Sequence, residues 1–199
     1  MSTAGIAPIE TERLTLRLLT PADAAAVHSF RGDEGVTRFL SHAPLTAEEN
    51  RVRLAEVVER AAVSTPEWFH YGWAITLRDT GQLIGDGRTW NSAGSPARGT
   101  LTPGSLPSHQ ASLGYVLHPD YQGRGYGREA AGALVQWLFR ELGVSTVFAG
   151  VYEPNTASIR LLQHLGFTRD GYVAPELDKF GKGFPSLMFR LDNPGVSSR

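Results

Sequence analysis

The stretch "VLHPDYQGRGYGREA" (residues 116–130) decides how this chain is read. An apolar run ends at "HP", and a helix pattern begins at "REA". Between them Gly123, Gly125 and Gly127 alternate with Arg124 and Tyr126. Gly125 and Gly127 let a ligand approach the main chain without meeting a Cβ. The loop runs into a helix whose first amide N–H groups have no intrahelical partner. The helix dipole adds roughly 0.3–1 kcal/mol per negative charge at that end. In outline this is a diphosphate site. The competing reading is that the glycines only turn the chain. Two familiar nucleotide loops fail on spacing. A dinucleotide fingerprint needs a glycine where Arg128 stands, and the Gly-Lys-Ser/Thr of a Walker loop is missing.

Outward from the loop, the hydrophobic period alternates between two and about four. "RLTLRLL" (13–19) reads as a half-buried strand, followed by a helix with Thr20 as N-cap and Pro21 at its first position. Residues 46–63 form a second helix, with Thr46 and Glu49 as a capping box and Val52, Leu54, Ala55, Val58 and Ala62 as its apolar side. "WFHYGWAITL" and "LIGDGRTW" flank "RDTG" as a hairpin with positive φ at Gly81. Residues 91–110, rich in Gly, Ser and Pro, read as an insertion between strands or as a substrate lid. "ASLGYVL" (111–117) is a strand. Ala130, Leu134, Leu138 and Leu142 mark the helix after the loop, which Gly143 stops. "STVFAGVY" is a buried strand, "PNTASIRLLQHLGF" a short helix capped by Asn155, and the tail a final strand pair. The whole is a single α/β domain over residues 1–199, with a mostly antiparallel sheet.

Bulk properties remove several function classes. The length suits one domain. A net charge of −1 gives no basic field for nucleic acid. The absence of cysteine excludes disulfides, thiolate metal sites and a thioester-enzyme intermediate. No histidine pair has metal spacing, so no metal is expected. No apolar segment approaches the ~20 residues of a membrane span, and the start lacks the pattern of a signal peptide. The expected location is the cytoplasm, as a monomer or homodimer.

The ordered motifs carry a resemblance. Gln122, Gly125 and Gly127, after "VLHP" and before "REA", resemble motif A of the GCN5-related N-acetyltransferase (GNAT) superfamily. "PNTASIRLLQHLGF" resembles its motif B, at the expected distance downstream. "TERLTLRLL" and "GQLIGDG" resemble the RimJ/RimL-like ribosomal-protein N-acetyltransferase subgroup. The likeness spans about residues 11–191, leaving out the insertion. It implies a mixed, mostly antiparallel twisted sheet with helices on both faces and splayed central strands. It also implies acetyl-CoA as co-substrate and direct acetyl transfer to a primary amine, with a protein N-terminal α-amine preferred. A small-molecule amine such as an antibiotic or polyamine, and a non-catalytic CoA sensor, remain the alternatives. An acidic acceptor cleft would favour a small polycation.

Carried over by position, Val116, Leu117 and His118 would line the pantetheine arm. The Leu117 N–H would serve as oxyanion donor, and Gly123, Arg124, Gly125, Tyr126, Gly127 and Arg128 would hold the diphosphate. Arg124 and Arg128 equally suit a solvated surface. The tyrosine that many members use as acid is replaced here by Leu162. Ser158 stands where the subgroup has a serine donor, although it also suits helix-turn hydrogen bonding. Asn155 can cap the helix and contact the cofactor at once. Glu176 is the nearest candidate base, although strict counting lands on Leu177. His118 and Asp120 read as strand-end polar residues. Trp68, Phe69, Tyr71 and Trp73 read as core before pocket. Pro185 suggests that the last strand lies at an edge or carries a bulge.

Overall fold

The strand ending at Leu117 is the fifth of eight in one sheet, and the sheet opens beside it. The computed structural model describes residues 6–91 and 109–195. Strands β1 (Ile9–Glu10), β2 (Leu14–Leu18), β3 (His70–Leu77), β4 (Leu83–Asn91), β5 (Gln110–Leu117), β6 (Thr146–Tyr152), β7 (Thr168–Val173) and β8 (Ser186–Asp192) lie in the order β1-β2-β3-β4-β5-β6-β8-β7. Every pair is antiparallel except β5 with β6. Helices α1 (Ala24–Arg31), α2 (Glu34–Thr37) and α3 (Ala47–Ala62) precede β3. Helix α4 (Tyr126–Glu141) joins β5 to β6, and α5 (Thr156–His164) joins β6 to β7.

Local chemistry sets these elements. At α3 the capping box forms: the Glu49 N–H donates to Thr46 Oγ1 at 3.2 Å and the Thr46 N–H donates to Glu49 Oε2 at 2.8 Å. The "RDTG" turn joins β3 to β4 with Gly81 at φ +70°. Thr20 caps only a 3-10 turn, Pro21–Asp23, before α1 begins. The apolar side of α3 differs from its sequence pattern. Val52 and Ala62 are exposed, and the helix instead buries Asn50, Leu54 and Ala61. Asn50 makes that tolerable, because its amide donates to the Ala24 carbonyl at 2.8 Å.

The two faces of the sheet carry separate cores. Leu19, Val27, Phe30, Leu54, Ala74 and Val116 pack under α1 and α3. Trp73, Ile75, Leu113, Leu117, Leu134 and Leu138 belong to the larger core, which includes the buried side of α4. Full burial of each such side chain contributes roughly 1.5–3 kcal/mol. Phe69, Tyr71 and Trp73 are core, as their β preference implies, whereas Trp68 is 60% exposed. The last strand departs from expectation. β8 is interior, between β6 and β7, not an edge. Pro185 precedes its first residue, so no ladder N–H is lost, and its carbonyl accepts from Glu153 N. The β7–β8 ladder does shift register, between Arg169 and Gly171. Of the predicted insertion, Asn91 and Gln110 are strand residues and 92–108 lie outside the described residues.

Candidate active site

β5 and β6 are paired only from Gln110↔Thr146 to Ser112↔Phe148. Beyond that point β5 follows β4 and β6 follows β8, so the two strands diverge. Which main-chain groups face the gap follows from the antiparallel alternation. The His118 N–H donates to the Ile84 carbonyl at 2.8 Å, so His118, Val116 and Gly114 turn their main chains toward β4. Leu113, Tyr115 and Leu117 therefore turn theirs toward the gap. Of the three residues expected to line an arm there, only Leu117 offers its amide. Val116 is tied to β4 and its side chain fills the core under α1 and α3. His118 caps the turn Pro119–Tyr121, accepting from the Asp120 N–H at 3.2 Å, and its ring meets Phe30 edge-on.

Gln122 sets the end of β5. Its Nε2 donates to the Leu117 carbonyl at 3.0 Å, which occupies the acceptor and leaves the Leu117 N–H as the open group. The loop then uses two left-handed glycines, Gly123 at φ +73° and Gly125 at φ +83°. Gly125 caps α4 without any side-chain hydrogen bond. Among the described residues, the first main-chain donor after the loop to find a carbonyl is Glu129 N, bonded to Gly125 O at 3.1 Å. The amides of residues 123–128 are thus gathered at a helix N-terminus with no acceptor among the described residues. A Cβ on Gly127 would stand 3.1 Å from Leu161 Cδ1 and 3.5 Å from Leu117 Cδ1, so this glycine also lets α4 approach β5 and α5. The side chains of Arg124 and Arg128 are exposed, with Arg124 over the Tyr121 ring.

A staple that sequence reading missed holds this loop from 111 residues away in the chain. Arg13 donates through Nη1 to the Arg124 carbonyl at 3.0 Å and through Nε to Glu129 Oε2 at 2.7 Å. Glu129 Oε1 also accepts from the Arg13 N–H and the Thr11 hydroxyl. The Arg13 guanidinium stacks 4.5 Å from the Tyr126 ring centroid. "TER" before the first strand and "REA" after the loop were both visible, but nothing local connects them.

On α5, Asn155 caps as expected, accepting the Ser158 N–H at 3.2 Å. Beside Ser158 lies Tyr115, whose ring is also close to Gly127. The Tyr115 hydroxyl is buried and completes no hydrogen bond among the described residues. Burial pushes this phenol above its ordinary value, partly offset by the neighbouring Ser158. An unpartnered buried hydroxyl costs about 1–3 kcal/mol. Glu176 stands exposed on the turn Pro175–Leu177 and has no hydrogen bond or ion pair with the described residues. Two residues later Asp178 organises the loop, accepting from the Tyr152 hydroxyl and from the N–H groups of Phe180, Lys182 and Gly183.

The opposite face, under α1, holds a buried ionic cluster. Arg31 grips the fully buried Asp86 in a fork, Nε to Oδ2 at 2.7 Å and Nη2 to Oδ1 at 2.6 Å. Arg88 Nη2 lies 3.6 Å from the same carboxylate, and Arg31 Nη1 meets His42 Nε2 at 2.9 Å. Although burial opposes its charge, the two guanidiniums hold Asp86 below the usual carboxylate range. Burial, with Arg31, Arg53 and Lys182 nearby, pushes His42 down, which keeps it neutral. Lys182 reaches across from the β7–β8 loop to donate to the Thr37 and His42 carbonyls.

The comparisons agree with this geometry. Residues 13–168 match the family model described as an acetyltransferase (GNAT) domain. A relative from Bacillus subtilis (strain 168), "Uncharacterized N-acetyltransferase YoaA", is 27% identical over 94% of this chain and 97% of its own. The fold is that of the ribosomal-protein-S5-alanine acetyltransferase of Vibrio fischeri, with TM-score 0.74 and 22% identity over 97% of this chain and 100% of that one. It is also that of RimL, a ribosomal L7/L12 α-N-protein acetyltransferase solved with coenzyme A, with TM-score 0.76 and 16% identity over 96% and 100%. The open strand edge, the free amides above it and the matched span agree: the chain belongs to the GNAT acetyltransferase family and is an N-acetyltransferase with acetyl-CoA as co-substrate.

Proposed function

We propose that this enzyme acetylates the α-amine of a protein N-terminus, as the RimJ/RimL-like subgroup does, in the cytoplasm. The free amides of residues 123–128 suit the diphosphate of acetyl-CoA, held by the Arg13 staple. The Leu117 N–H, turned to the gap, suits the thioester carbonyl, where a fixed donor stabilises the developing oxyanion. Ser158, its N–H engaged by Asn155 and its side chain beside Tyr115, is assigned as proton donor to the departing sulfur. Glu176, unpartnered on its turn, is assigned as base through an intervening water.

The observation that carries the acceptor choice is the charge of the face opposite α4. With α4 and the phosphate loop on one side of the sheet, the acceptor approaches from the other. In the cluster there, the cations Arg31, Arg88 and Lys182 outnumber the carboxylates Asp86 and Asp178. These cations are largely buried and partly paired with Asp86, so the side chains here supply no excess of carboxylates for the several positive charges of a polyamine or aminoglycoside, whereas an α-amine brings at most one. An α-amine has a reference pKa of about 7.7–8.0, so roughly a tenth is neutral at pH 7, against a few parts in ten thousand for a lysine near 10.4. The gap, about 3.4 kcal/mol, is what a lysine acetylase must supply through desolvation or a strong base. The test is acetyl-CoA turnover on peptides with free N-termini, on N-blocked lysine peptides and on spermidine. The expected product is α-acetylated peptide. Faster turnover of spermidine than of every peptide would overturn the acceptor assignment.

A further inference from the structure

A partly buried tyrosine whose hydroxyl is enclosed and completes no hydrogen bond among the described residues calls for a reason. Phenylalanine would fill the same space between Gly127, Leu161 and β5 without burying an unmet polar atom. The neighbour within reach is Ser158. Ser158 has one proton and two lone pairs, and its N–H is already spoken for by Asn155. Nothing in the described structure dictates where the serine proton points.

We propose that Tyr115 is a positioning residue for the acetyl transfer: its O–H donates to Ser158 Oγ and thereby directs the serine proton at the sulfur. The inference rests on the assignment of Ser158 as donor, made above. As the attacking nitrogen forms its bond to the acetyl carbon, the C–S bond breaks and its electron pair moves to the sulfur. Glu176, through water, takes the proton that leaves the ammonium before attack. The Ser158 proton goes to the sulfur, and the second proton, shed by the nitrogen on attack, returns to the serine oxygen. Tyr115 keeps its proton throughout, as suits a phenol that burial holds in its neutral form. The hydrogen bond forms by rotation of the serine side chain as the cleft fills. That explains why the two hydroxyls are neighbours yet not aligned here.

The experiment compares Tyr115→Phe, Ser158→Ala and the double variant in the full chain, with kcat, the KM for acetyl-CoA, the Kd of CoA by calorimetry and Tm. Tyr115→Phe is expected to lower kcat by roughly tenfold to a hundredfold, part of the ~10²–10⁴ attributed to a positioned acid. The Kd of CoA stays unchanged, and Tm is unchanged or higher because the unmet hydroxyl is gone. A merely structural tyrosine would show the opposite, a lower Tm with kcat retained. The double variant is expected to be no slower than Ser158→Ala alone, since the tyrosine acts through the serine. Wild-type kcat in Tyr115→Phe overturns the proposal, and so do multiplied losses in the double variant. A fast Ser158→Ala with a slow Tyr115→Phe overturns both action through the serine and the donor assignment. A fast Ser158→Ala with a fast Tyr115→Phe likewise rejects both assignments. A slow Ser158→Ala with a fast Tyr115→Phe rejects only the role of Tyr115.

Discussion

The two proposed ends of the cleft, one for the cofactor and one for the acceptor, are built from different materials. The cofactor end is mostly main chain: a strand edge released at Ser112, two left-handed glycines and a helix N-terminus. The acceptor end is mostly side chains drawn from distant segments: Arg31 on Asp86, Arg88 beside it, and Lys182 on the carbonyls of Thr37 and His42. Main-chain groups recognise what every acetyl-CoA shares and do not depend on side-chain identity. Side-chain clusters can change from protein to protein without disturbing the sheet. The contrast explains why likeness to other acetyltransferases is clear for the family and uninformative for the acceptor.

Substitutions that strike one end and spare the other sharpen this comparison. The largest effect is expected from Asp86→Ala, which leaves Arg31 and Arg88 buried without their carboxylate. Removing one partner of such a buried pair costs about 3–5 kcal/mol, and chemical denaturation should register it, with CoA affinity of the folded fraction retained. If stability is kept, the cluster is solvated and the division between the two ends fails. Next comes Gly125→Ala. At φ +83° a side chain costs about 1–2 kcal/mol, and its Cβ would sit 3.3 Å from Arg13 Nη2. CoA binding should weaken by roughly tenfold, read by calorimetry, while the ionic cluster is untouched.

A pH titration probes the acceptor side more gently. Burial, then the nearby Arg60 and Arg88, push His70 down to about 4. The unfolded chain takes up a proton on this residue below about 6.5, and the folded one resists until about 4. Stability therefore falls as pH drops from 6.5 to 4 and levels off below. His70→Gln should flatten that part of the curve, and an unchanged slope would assign the acid sensitivity elsewhere. The smallest effect is expected at the half-exposed Arg13. Its ion pair with Glu129 falls in the range of about 0.2–1 kcal/mol, so Arg13→Ala should raise the Kd of CoA by at most about fivefold. No change at all would mean that the loop holds its shape unaided.

Much of the cofactor end was legible before any coordinates. Gly123 and Gly125 meet a demand for positive φ that few other residues satisfy. The capping box at Thr46, the turn at Gly81 and the cap at Asn155 are likewise local, and all three formed. The misreadings involve partners far along the chain. Pro185 pointed to an edge strand or a bulge; a proline just before β8 breaks no ladder, so β8 takes an interior place, and the β7–β8 ladder shifts register between Arg169 and Gly171. Val52 fits the apolar period of α3, yet it is exposed, and Asn50 and Ala61 are buried beside Leu54. Arg31 and Tyr115 carried no motif, and the motif around Arg13 does not name its distant partner Glu129.

Sequence by itself determined where backbone must bend and where α3 and α5 start, because those requirements are satisfied within a few residues. Tertiary structure alone decided that Val116 and His118 turn their main chains to β4, away from the gap that the Leu117 amide faces. It also decided which arginine meets which carboxylate and that the Tyr115 hydroxyl stops beside Ser158. Those outcomes depend on strand register and on contacts spanning 55 residues at Arg31–Asp86 and 116 at Arg13–Glu129. Contacts of that separation are set by the packing of the whole domain, and no local pattern encodes them.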